Sequence, residues 1–235
     1  MHKKSTFAEY SVYLNLKALN KRDAMAYEGI DSRIGKVPKE EWYAMRVAYQ
    51  QELKAKAFCD KKAIENFIPM KFAEITVRKR TGGNVEGNVA SGAIEKRVKK
   101  WVPAIHNLIF IKLTGSAIAD LKKEMEAQVK KIPLRYIIDN ETKKPLIVPE
   151  SDMDSFMKVA GSKDEGLIYL TAGVDEYPKL VSNDKVRVTG GPYEGAEGYV
   201  VRVKKDRRVM VKIAGTCAVL TSFVHPSLLE KIEKS

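Results

Sequence analysis

The stretch from Asp184 to Ile213 constrains the fold more than any other part of the chain. Val186 and Val188 alternate with Lys185, Arg187 and Thr189, the period of two that buries one face of a strand. Gly190, Gly191 and Pro192 interrupt the alternation, and Gly195 and Gly198 bracket a tight return. Tyr199, Val201 and Val203 then resume it against Val200, Arg202 and Lys204. Asp206-Arg207 reads as the next turn, ahead of Val209, Val211 and Ile213. Short apolar strands joined by short turns bury too little as a flat sheet, so this pattern predicts a small curled barrel.

The totals set the frame for the rest. With 235 residues, 44% hydrophobic and 31% charged, the chain has an ordinary globular composition and room for two small domains. Cys59 and Cys217 match no metal or redox spacing and are expected to be reduced, buried and structural, which suits a cytoplasmic protein. No run is long enough to span a membrane, and the start lacks the apolar core of a secretory signal. The net charge of +12 is unevenly spread: +3 over residues 1–40, +7 over 41–160, −3 over 161–184 and +5 over 185–235. Two basic blocks separated by an acidic connector suggest two folded units, and a polyanionic partner fits their charge.

Along the chain, residues 1–40 show weak helical periodicity around Phe7 to Leu19 and read as an extension. Trp42 to Ala48 reads as a strand, and Gln50 to about Glu65 as a helix with Leu53, Ala57 and Ile64 near one face. Phe67 to Pro69 and Ile75 to Val77 form a second strand region, with Pro69 marking an edge or bulge. Residues 82–92 hold four glycines but lack the lysine and hydroxyl that a phosphate loop places before its helix, so they read as a mobile hairpin tip. Leu108 to Leu113 is a strand. Ser116 is expected to cap a helix running to about Lys130, with Ile118, Leu121, Met125 and Val129 facing inward. Leu134 to Ile138 and Leu146 to Val148 are strands, and Pro149 to Gly161 is a helix with Met153, Phe156 and Met157 inward. This order predicts an α+β sandwich over 41–160, a linker over 161–183 in which Leu167 to Leu170 forms a strand able to dock, and the barrel over 184–235.

No catalytic constellation is visible. His2, His106 and His225 lie in unrelated contexts, and neither metal spacing nor a nucleophile elbow occurs. The chain reads as a binding protein without cofactor or metal.

The barrel stretch resembles a KOW motif, the strand-turn-strand core of the barrel that ends NusG-type transcription factors and that some ribosomal proteins also carry. The first domain resembles the NusG N-terminal (NGN) domain. It does so through Trp42-Tyr43 opening the first strand, a lysine-rich first helix, Phe67-Ile-Pro-Met70, and Lys100-Trp-Val-Pro103 ahead of Leu108-Ile-Phe-Ile111. Within that family, Lys144-Pro-Leu-Ile-Val-Pro149 and His225-Pro-Ser-Leu-Leu229 are similar to the UpxY-type paralogues of the Bacteroidales. The fold implied is an antiparallel NGN-like sheet with flanking helices followed by a small SH3-like barrel.

The function implied is control of transcription elongation. Such a factor binds RNA polymerase and suppresses pausing or termination, at polysaccharide-type operons for the UpxY branch. The resemblance places polymerase contacts at Trp101, Val102, Ile105, Leu108 and Phe110, on an apolar face left open to water. It places contacts to the non-template DNA strand at Gln51 and Lys54, and a barrel partner at Tyr193 and Ile213. That partner is either the termination factor Rho or a small-subunit ribosomal protein. Ala214 stands where the general factor often has a large aromatic, which argues against Rho. A ribosome-associated RNA-binding KOW protein and a housekeeping NusG are the alternatives. The first lacks a counterpart for residues 41–160, and Ala214 and the N-terminal extension speak against the second.

Overall fold

A computed structural model of the chain describes residues 39–80, 93–128, 130–171, 181–203 and 205–232. The helical periodicity near Phe7, the glycine-rich stretch at 82–92 and Val129 lie outside the described residues. The architecture is α+β: an antiparallel sheet with flanking helices, followed by an all-β unit.

The first sheet is built on β1 (Glu41–Val47), with β2 (Asn66–Phe67), β5 (Leu108–Leu113), β6 (Leu134–Tyr136) and β7 (Ile147–Val148) around it. Its order is β2-β5-β1-β6, and β7 also pairs with β1. The central register sets Tyr43 opposite Ile111, Ala44 opposite Phe110 and Met45 opposite Ile109. Side chains alternate across a strand, so Trp42, Ala44, Leu108 and Phe110 share one face and Tyr43, Met45, Ile109 and Ile111 the other. All eight are buried. The unbroken apolar run of β5 follows from this burial on both faces.

Three helices cover the sheet: α1 (Glu52–Lys61), α2 (Gly115–Glu126) and α3 (Glu150–Ala160). Helix α1 starts two residues later than the sequence pattern suggests, because the chain leaves β1 through Tyr49 and Gln50, both at positive φ. That turn rotates the helix, so Ala55 and Cys59 face inward while Leu53 and Ala57 are exposed. It ends at Lys61, before Ala63 at φ 54°. The cap of α2 is Thr114 in place of Ser116: the Thr114 hydroxyl accepts from the Ala117 N–H at 3.4 Å. Helix α3 carries Glu150 and Asp152 in its first turn, where the helix dipole favours carboxylates.

Between β2 and β5 the chain runs out and back as β3 (Met70–Arg80) and β4 (Ala93–Pro103), which pair along their full length as a separate two-stranded ribbon. Sequence periodicity captures only fragments of this ribbon, because strands exposed on most sides lack a continuous apolar face.

The second sheet joins β8 (Ile168–Thr171), β9 (Val181–Val188), β10 (Glu197–Val203), β11 (Asp206–Ile213), β12 (Cys217–Leu220) and β13 (Leu229–Lys231). The order is β13-β9-β10-β11-β12-β8, antiparallel throughout. The strand near Leu167 does dock, as β8 on β12. At Gly198 a Cβ would lie 2.4 Å from the Met210 carbonyl oxygen, so β10 and β11 approach closely only because that position is glycine. Gly195, at φ 75°, makes the left-handed step in the preceding turn. The sheet buries both faces. Val201, Met210, Ala218 and Leu220 form one cluster with Ile168, Leu170 and Val203 against it. Val209, Val211, Ile213, Cys217 and Val219 belong to a larger one.

That larger cluster does not stop at the second sheet. It runs on through Met153, Phe156 and Val159 of α3 to Trp42, Ala44, Leu108 and Phe110 of the first sheet. Helix α3 packs against β1 on one side and against β10, β11 and β12 on the other. Residues 39–235 accordingly form one compact unit.

Phe156 sits at the centre of this arrangement, edge-on to Phe110 at 5.7 Å and to Phe67 at 6.2 Å between ring centroids. Phe156→Ala is expected to lower stability by about 3–5 kcal/mol, the usual cost of an emptied aromatic core position, measured by urea unfolding followed by circular dichroism.

Candidate interaction surfaces

The strand alternation that makes Phe110 and Leu108 neighbours of Trp42 turns them inward, beneath α3. Leu108, Phe110 and Ile105 are buried, so the expected water-exposed face around Leu108 is not present in this arrangement. The reason is α3, whose Phe156 covers Phe110, together with the second sheet behind it. Leu146, in the same cluster, lies under the β11–β12 turn, where a Cβ on Gly215 would meet its methyls at 3.7 and 3.9 Å.

Trp101 and Val102 behave differently. Both are half-buried on β4 at the foot of the ribbon. Trp101 is directly opposite Phe72 of β3, with ring centroids 4.5 Å apart, and Phe72 is 39% exposed. The Lys99 ammonium sits 5.9 Å from the Phe72 ring centroid and pairs with Glu165 at 2.6 Å. Of the expected apolar set, Trp101 and Val102 are the members a partner can reach, and Phe72 adds an aromatic edge in water beside Trp101. Phe72 escaped the sequence reading because nothing in its spacing tells an exposed ribbon aromatic from a core one.

The second surface lies where β1 passes into α1. Tyr49 (φ 59°) and Gln50 (φ 52°) form a strained turn that leaves Tyr49 82% exposed. Asn107, also at positive φ, holds this turn from the loop before β5: its side-chain oxygen accepts from the Gln50 N–H at 3.0 Å, and its carbonyl from the Val47 N–H at 3.0 Å. The Asn107 N–H in turn donates to Glu52 Oε1 at 3.2 Å. Glu52 is 1% exposed, and its other oxygen has no partner among the described residues. Gln51 is half-buried at the start of α1, where its carbonyl accepts from the N–H groups of Lys54 and Ala55. Lys54 is exposed one turn on. The two residues expected to meet DNA are therefore brought to one corner, with Tyr49 added to them. The sequence reading did not single out Tyr49; the signal that could have found it is a lone aromatic just after a strand.

The third surface was expected at Tyr193 and Ile213. Both side chains point into the core, so neither offers an outward contact. Tyr193 instead anchors a hydrogen-bond cluster. Its hydroxyl donates to Asp164 Oδ2, and the Ser222 hydroxyl donates to the same oxygen at 2.7 Å. The Gly166 N–H donates to Asp164 Oδ1 at 2.6 Å. These bonds, the Tyr193 one foremost, hold the Asp164 carboxyl below the usual carboxylate range, while burial pushes the Tyr193 phenol up. The Lys158 ammonium donates to the Gly195 carbonyl at 3.1 Å, and the Ser155 hydroxyl accepts from the Glu197 N–H at 3.1 Å. Tyr169 donates its hydroxyl to the Met70 carbonyl at 3.1 Å. Helix α3, the segment after it and the foot of the ribbon are thus tied to the second sheet by polar bonds as well as by the shared core.

Both cysteines are buried and free, and burial raises each thiol to about 12, which keeps them protonated. Among the described residues no group of His, Cys, Asp or Glu could hold a metal ion, and no helix is long and apolar enough to cross a membrane.

Comparison with known families bears on this geometry. The family model described as transcription termination factor NusG matches residues 40–157, from the start of β1 into α3. The chain belongs to the NusG family. No curated protein matches the chain. NusG-family proteins are transcription factors that act during elongation and generally bind RNA polymerase. The match covers the first sheet, the ribbon, α1, α2 and α3 as far as Met157, which include the elements that build the first two surfaces.

The Asp164 cluster carries a pH signature. A carboxyl whose folded value lies below its unfolded one adds stability above the unfolded value, and that stability is lost as pH falls through the folded one. Asp164→Asn is expected to cost about 1.5–3 kcal/mol at pH 7, the range for hydrogen bonds to a charged group. The gap between variant and parent should narrow below about pH 4, near the ordinary value of a free aspartate. Urea midpoints measured from pH 2.5 to 7 check it.

Proposed function

We propose that this chain is a polymerase-bound elongation factor of the antitermination type, acting like the UpxY-type paralogues at polysaccharide-type operons. The observation that carries the reading is the family match over 40–157 together with an all-β, six-stranded antiparallel unit after it, which we read as the KOW-type barrel. In this reading, the half-exposed Trp101, Val102 and Phe72 make the first contacts with the polymerase clamp. Leu108, Phe110 and Ile105 lie behind them and reach a partner only if α3 and the second sheet move away. Large aromatics at the centre of an interface commonly dominate its energy.

The corner at Tyr49, Gln51 and Lys54 is proposed to meet the non-template strand. An exposed aromatic beside an amide and an ammonium supplies a stacking platform and a phosphate contact, the combination single strands require. In the connection between β12 and β13, Phe223 is 55% exposed and is a more accessible aromatic than Tyr193 for a small-subunit ribosomal protein. Exposed Ala214 offers no aromatic anchor, so binding to Rho is proposed to be weak.

Retention of the full chain on core RNA polymerase tests the reading. Binding is expected, with Trp101→Ala weakening it about tenfold or more. A chain that does not bind the polymerase at all contradicts it. Tyr49→Ala is expected to weaken single-stranded DNA binding by about 1–3 kcal/mol, the worth of one stacked base, as read by fluorescence anisotropy.

A further inference from the structure

The β3–β4 ribbon stands apart from both sheets. Each strand has eleven residues, the two pair from Met70–Pro103 out to Arg80–Ala93, and among the described residues no third strand joins them. At the usual rise per residue this makes an arm about 36 Å long and two strands wide. Its foot is fixed. The Ala104 N–H donates to the Pro69 carbonyl at 2.8 Å, and Lys99 is held by Glu165.

An exposed two-stranded arm is marginally stable by itself, and this one has a composition that adds to the difficulty. The two strands carry eight Lys or Arg against two Glu. Lys71, Lys96, Arg97 and Lys100 are exposed, and none has a carboxylate within ion-pair distance among the described residues. By the register, Lys71, Lys96 and Lys100 share one face and Arg97 lies on the other. Half-buried Ala73, Ile75, Val98 and Val102 lie between those lysines. Lys71 and Lys100 are diagonal neighbours across the two strands, and Lys96 follows about 13 Å further along the same face, so a polyanion laid along the arm meets one cation after another.

We propose that this ribbon is a binding arm for duplex DNA. Two observations favour a duplex over a single strand. Beyond the Phe72–Trp101 pair the described stretch of the arm, 73–77 and 96–100, has no aromatic residue on which unpaired bases could stack. A two-stranded ribbon also has the width that the major groove of a duplex accepts, with basic side chains directed at phosphates on either side. The contacts are to the backbone, so binding is sequence-tolerant and strongly salt-dependent. The inference does not rest on polymerase binding, and it uses residues other than Tyr49, Gln51 and Lys54.

The test measures binding of the full chain to a fluorescent 20-base-pair duplex by anisotropy between about 50 and 300 mM KCl, with no polymerase present. The variant K71Q/K96Q/R97Q/K100Q is expected to lose about tenfold or more in affinity at the lowest salt. Its plot of log affinity against log salt should be shallower by about 3 to 4 units, near 0.9 for each phosphate contact removed. A charge-matched control at exposed Lys130, Lys131, Lys143 and Lys144, each changed to Gln, should stay within about twofold of the parent. Thermal melting of both variants checks that they fold. The proposal is overturned if the two quadruple variants lose affinity alike, if neither does, if the parent fails to bind the duplex, or if an unlabelled single strand of the same sequence competes as well as the duplex.

Discussion

A helix lying on one sheet needs one apolar stripe, but α3 has to satisfy two sheets at once. Met153, Phe156 and Val159 are buried in the core that runs through Trp42, Leu108 and Phe110 and on into Val209, Val211 and Ile213. On the same helix, Ser155 accepts a backbone N–H from β10 and Lys158 donates to the turn before it. Removing the second sheet would therefore leave part of α3 open to water. Removing α3 would uncover the β1–β5 face. The other ties between the halves, Asp164 with Tyr193 and Tyr169 with Met70, start from residues placed by that packing.

This constraint shapes what each surface can do. Apolar side chains suited to docking a partner are also suited to docking the molecule's own second sheet, and here they are buried with it. What remains open is chemically different: an aromatic pair at the foot of a basic ribbon, and a strained corner presenting Tyr49. The NusG-family residues thus divide into those that hold the structure together and those a partner can touch. Burial draws that line more sharply than position in a motif does.

Most of the fold was legible in the sequence, because the signals that carry it are local. Alternation at Val186 and Val188, the glycines at 195 and 198 and the apolar run of β5 each place an element close to its observed position. Helix starts were less legible. Nothing in Ala48-Tyr-Gln50 announces two consecutive residues at positive φ, a conformation held by Asn107 from 57 positions away. The candidate sites were legible as positions but not as exposures. Leu108, Phe110, Tyr193 and Ile213 are apolar or aromatic in sequence, and such residues suit a core as well as an interface. Only the path of α3 and the second sheet decides between them. The ribbon was seen only in fragments for the opposite reason, since its residues are held by pairing with each other and not by a core.

Differential scanning calorimetry of the full chain tests the shared core most directly. One core running through α3 requires residues 39–235 to unfold in a single cooperative transition, with calorimetric and van't Hoff enthalpies equal. Two resolved transitions, with the first leaving either sheet intact, would contradict the account, since the sheets would then be stable separately and α3 would belong to only one of them.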